Sequence, residues 1–106
     1  MPKYLVQASY TSEGTKGLLK DGGTKRRVAV EQMVSGLGGK LEAIYYAFGD
    51  ADAYVIVEAP DNVTAAAVSL AVNASGAVSL KTTPLLTPEE IDQAAKKSVN
   101  YRPPGQ

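Results

Sequence analysis

Residues 40–59, KLEAIYYAFGDADAYVIVEA, read as a β-hairpin. Two runs rich in Ile, Val and Tyr flank Gly49-Asp50-Ala51-Asp52, a cluster of turn-forming residues. Pairing Phe48 with Ala53 sorts the side chains by period two. Ile44, Tyr46, Phe48, Val55 and Val57 then share a nearly all-apolar face that calls for helices above it. Leu41, Ala43, Tyr45, Ala47, Tyr54, Ile56 and Glu58 take the other face.

Outward from the hairpin, residues 3–11 alternate in the same way and predict a first strand. Tyr4, Val6, Ala8 and Tyr10 lie on one side of it and Leu5, Gln7, Ser9 and Thr11 on the other. A Gly-rich connection follows over 12–23, with room for a helical turn between Thr15 and Lys20. Thr24 suits an N-cap, and Val28, Val30, Met33, Val34 and Leu37 form the apolar stripe of a helix over about 25–37. Gly38 and Gly39 stop it.

After the hairpin, Pro60 breaks the strand, and Asp61 or Asn62 caps a small-residue helix over about 62–74. Residues 77–83 predict a fourth strand closed by Pro84. Thr87-Pro88-Glu89-Glu90 opens a last helix over about 88–98. The order βαββαβ is the split βαβ, or ferredoxin-like, α+β arrangement with an extra C-terminal helix. It places both main helices on one face of an antiparallel sheet. The other face would expose Leu5, Leu41, Tyr45, Tyr54 and Ile56, too much apolar surface to leave in water. A homodimer or higher homo-oligomer built by pairing such faces is therefore expected.

Composition bounds the chemistry. A chain of 106 residues supports one domain, residues 1–106, and its core is thin. Eleven basic residues balance eleven acidic ones, so no net field draws the chain to nucleic acid or to an anionic membrane. There is no cysteine and no histidine, which removes Ser-His-Asp triads, Cys-His dyads, zinc sites and histidine-ligated haem. No cofactor and no metal are expected. No apolar run approaches the ~20 residues of a membrane helix, and the start of the chain lacks the apolar core of a signal peptide. Cytoplasmic residence is the expectation.

Several features resemble one family of small bacterial proteins. They are Tyr4 with its strand, Thr11 to Gly14, Gly38-Gly39-Lys40, Tyr45, Gly49 to Asp52, Val57-Glu58-Ala59-Pro60-Asp61, Gly76-Ala77-Val78 and Thr82. Their order and spacing are similar to those of the GYD-domain family, which belongs with the dimeric α/β-barrel proteins. The family is named for a Gly-x-Tyr-Asp turn; here Gly49 and Asp52 match, and Ala51 stands in place of the tyrosine. The resemblance implies the dimeric α/β-barrel fold and no particular activity.

The candidate ligand-binding set is Gln7, Ser9, Thr11, Tyr45, Tyr54, Glu58 and Thr82. These polar groups in apolar surroundings fit either a small-molecule cleft or a hydrogen-bonded dimer seam. Glu58 is the one carboxylate of an apolar strand, able to act as a base if buried or to pair with a lysine such as Lys81. Lys16, Lys25 and Arg27 form a candidate anion site or a solvated basic edge; no phosphate-loop pattern accompanies them. Asp50 and Asp52 fit a cation site or simple turn formation. Three functions remain open: a small-molecule binding or sensory domain, a cofactor-independent oxygenase or isomerase, and a structural assembly protein. In the enzyme reading, Glu58 is the base and Tyr45 or Tyr54 the donor.

Overall fold

The computed structural model describes all 106 residues. The elements run β1 (Lys3–Tyr10), α1 (Ser12–Asp21), α2 (Gly23–Gly36), β2 (Lys40–Tyr46), β3 (Ala53–Glu58), α3 (Asn62–Ala74), β4 (Val78–Leu85) and α4 (Pro88–Ala95). The strands form one antiparallel sheet in the order β2-β3-β1-β4. α2 packs on β2, α3 on β4, and α1 against β1 and α2. The helices cover the face that carries Tyr4, Val6, Ala8 and Tyr10 of β1, and the period-two pattern specifies this.

Local chemistry starts and stops the helices. The Thr11 hydroxyl accepts the Gly14 amide at the start of α1, and Gly22, at φ 81°, breaks the chain sharply between α1 and α2. Asp61 caps α3 by accepting the Thr64 amide at 2.8 Å. Thr87 and Glu90 close a full capping box at α4, with Pro88 just inside it.

The structure corrects several boundaries. The connection over 12–21 is a complete helix, α1, and α2 starts at Gly23, so Thr24 lies inside it rather than capping it. β1 ends at Tyr10, which leaves Thr11 in the cap. The hairpin pairs Tyr46, not Phe48, with Ala53. The Asp52 amide is taken by the Ala8 carbonyl, and its own carbonyl accepts from the Ala47 amide, each at 2.8 Å. That pairing lengthens the loop to 47–52 and leaves Phe48 fully exposed. A bulge at Glu42 sets Leu41 opposite Val57, on the helix-facing side instead of the open one. Pro84 lies within β4, opposite Tyr4, a position tolerated because β4 is an edge strand.

The core is thin. Only eight residues are buried, and four of them are alanines: Ala8, Ala51, Ala53 and Ala59. Tyr4 is the one large side chain fully enclosed. The fold therefore has little interior to spare.

Candidate functional site

The sheet register builds the open face in rows. Tyr45 lies opposite Tyr54, Tyr54 opposite Gln7, and Gln7 opposite Lys81, so one row crosses all four strands. The next row is Ala43, Ile56, Leu5 and Thr83; beyond it lie Lys40, Glu58, Lys3 and Leu85. Ser9, opposite Ser79, extends the face at the other end. Tyr45 is 73% exposed and Tyr54 37% exposed, so both rings are accessible from this side. The arrangement offers two aromatic faces, a side-chain amide and an ammonium in line, beside an apolar strip.

At one end of that face, the Lys3 ammonium donates to Glu42 Oε2 at 2.7 Å and to Glu58 Oε1 at 3.3 Å. The Glu42 bulge brings the second carboxylate within reach. Glu58 thus pairs with Lys3 rather than Lys81. The hydrogen bond to Glu42 leads in raising the Lys3 pKa above its ordinary value of 10.5, against partial desolvation that lowers it. A raised lysine pKa stabilises the fold below the unfolded value, and that contribution disappears as pH rises through the folded one. The stability difference between the native chain and Lys3→Met should therefore shrink once pH passes about 10.5, as read from urea midpoints at several pH values. A difference that stays constant across that range would show that the pair contributes nothing.

Five of the predicted ligand-binding residues, Gln7, Ser9, Tyr45, Tyr54 and Glu58, share this face. Two do not. Thr82 lies opposite Val6 on the helix-facing side and hydrogen-bonds Ser69 at 2.9 Å. Thr11 caps α1, and its hydroxyl also donates to the Ala77 carbonyl at 3.2 Å. Lys16 is on α1 and Lys25 and Arg27 on α2, all exposed; Arg27 pairs with Glu31 at 3.4 Å, and none of the three lines either of the two main hollows. The Asp52 carboxylate is engaged by the Tyr10 amide at 2.7 Å, so it serves the turn.

Sequence reading missed two hollows on the helix side. One, of about 90 Å³, lies between α2, α3 and the sheet, walled by Val6, Val30, Met33, Val55, Val68 and Val72 among others. By volume it is smaller than the ~150 Å³ apolar cavity that admits benzene, and it marks loose packing between the helices and the sheet. The other, of about 260 Å³, is a cleft between Tyr10, Thr15, Leu18, Gly23, Tyr46, Ala47 and Asp52. Tyr46 donates to the Gly23 carbonyl at 3.0 Å, and burial, followed by the neighbouring Tyr10, pushes its phenol pKa up. Gly23 was the available signal, since a Cβ there would stand 3.0 Å from the Tyr46 ring.

An antiparallel sheet ordered β2-β3-β1-β4 with its helices on one face defines a ferredoxin-like α+β protein. Within that class the chain belongs to the GYD domain family, whose model matches residues 4–95. Comparisons with curated proteins and with solved structures give no match. No helix is long and apolar enough to cross a membrane.

Proposed function

We propose that the protein is a homodimeric small-molecule binding module whose two open sheet faces pack together and hold an organic ligand between them. The row Tyr45, Tyr54, Gln7, Lys81 carries this reading. Two such rows facing each other supply aromatic surfaces for a planar ligand and polar groups to fix its orientation, the usual make-up of a binding cleft. The pairing of Glu58 with Lys3 argues for binding over base catalysis, because the carboxylate is already engaged by an ammonium within its own chain.

The native chain is expected to run as a dimer in size-exclusion chromatography with light scattering. Ile56→Lys, which places a charge in the apolar strip beside Leu5, should yield a monomer. A native chain that stays monomeric at micromolar concentration overturns the assembly. Ligand binding is tested by a thermal-shift screen against metabolites, where a hundredfold excess over Kd adds about 2.7 kcal/mol to the folded state. A hit that Tyr54→Ala removes supports the cleft; an unchanged hit places binding elsewhere.

A further inference from the structure

We propose that residues 86–106 form an arm that docks on a second copy of this chain, with α4 lying over the rim of the partner's open sheet face. The inference rests on the sheet-to-sheet dimer proposed above. Ile91, Ala94 and Ala95 fall at i, i+3 and i+4 and make an apolar stripe along α4. No residue of α4 is buried, and Ile91 remains 52% exposed. Val99 and Tyr101, farther along, are 76% and 68% exposed.

The shape of the molecule agrees. Its radius of gyration is 16.9 Å, against ~13 Å for a compact chain of this length. Its longest dimension, 57 Å, far exceeds the other two, 33 and 22 Å. A helix of eight residues standing alone is marginal in water, yet this one carries a complete capping box. The cap holds the helix together without a tertiary partner. Only Leu86 and Thr87 separate α4 from β4, and Thr87, at φ −74° and ψ 160°, is held extended by Pro88.

A second copy suits the arm in length and charge. Eight helical residues rise ~12 Å, close to the ~10 Å between two packed sheets. That length is enough for an arm leaving β4 of one sheet to span the gap to the other. Glu89, Glu90 and Asp92 line the polar side of α4, while Lys40 and Lys81, on the two edge strands of the open face, take part in no ion pair. A two-fold axis makes the two arms equivalent and leaves none unpaired.

The chain lacks cysteine, so a single Glu89→Cys substitution accepts one nitroxide label. Mixed with ¹⁵N-labelled, unmodified chain, it should broaden amide signals around Lys81 and Lys40 of the unmodified copy. A chain stopped after Leu86 should still fold and should dimerise with a Kd at least about tenfold weaker. An unchanged Kd, or no broadening between copies in a sample that is dimeric, overturns the arm and leaves the sheet dimer standing. A full-length chain that is monomeric overturns both.

Discussion

Tyr4→Ala should lower the unfolding free energy by about 3–5 kcal/mol, the range for removing a buried aromatic ring. Small domains have only about 5–15 kcal/mol in total, so this variant should be largely unfolded at modest urea concentrations. The size of the effect follows from the poverty of the core. Tyr4 is 2% exposed, and the other buried side chains are alanines and valines, which cannot fill the space it would leave. Its hydroxyl also donates to Asn62 Oδ1 at 2.5 Å, tying β1 to the first residue of α3. Tyr4→Phe keeps the ring and loses that bond, a cost of about 1 kcal/mol. Urea titrations followed by far-ultraviolet circular dichroism separate the two contributions. Equal losses in both variants would mean that the hydrogen bond, and not ring burial, carries the stabilisation.

What was legible in the sequence was what local chemistry or strict alternation decides. Asp61 and Thr87 are caps because their side chains reach amides three residues on, and that geometry needs no tertiary partner. Gln7, Ser9, Tyr45, Tyr54 and Glu58 fall on one face because period two holds along β1 and β3 and along β2 beyond its bulge. What was not legible depends on contacts between distant segments. α1 contains Gly14 and Gly17, poor helix formers, and so reads as a loop. Yet Gly14 is needed, because a Cβ there would collide with the Ala77 carbonyl and stand 3.0 Å from the Tyr10 ring. The bulge at Glu42 likewise shows only in the pairing of β2 with β3, and it reverses the facing of Leu41. Thr82 was assigned to the wrong side because the parity of β4 is set by its pairing with β1, Thr82 opposite Val6, and not by its own residues.

Asp52, the aspartate of the family's turn motif, should be the second most sensitive position. Its carboxylate accepts the Tyr10 amide at 2.7 Å, while its backbone bonds to Ala8 and Ala47. One residue thus fastens the hairpin loop to the end of β1. Ala51, in the place of the family's tyrosine, is only 4% exposed, so the turn is packed inward without an aromatic ring. In Asp52→Ala the half-buried Tyr10 amide loses a charged acceptor, and such hydrogen bonds are worth about 1.5–3 kcal/mol. Asp52→Asn can keep an oxygen within reach of the amide and should lose less, since only the charge assistance disappears. The damage should be local first. Amide hydrogen exchange at Tyr10 should accelerate in Asp52→Ala well beyond the change at Tyr4, which lies at the far end of the same strand. The cleft beside the turn should also open, because Tyr10 and Tyr46 line it together with Asp52. Less burial of Tyr46 should bring its phenol back toward its ordinary pKa of 10.0, a shift readable by NMR titration of the ring. Unchanged exchange at Tyr10 in Asp52→Ala would show that the loop is held by its backbone bonds alone and that the aspartate side chain does not anchor it.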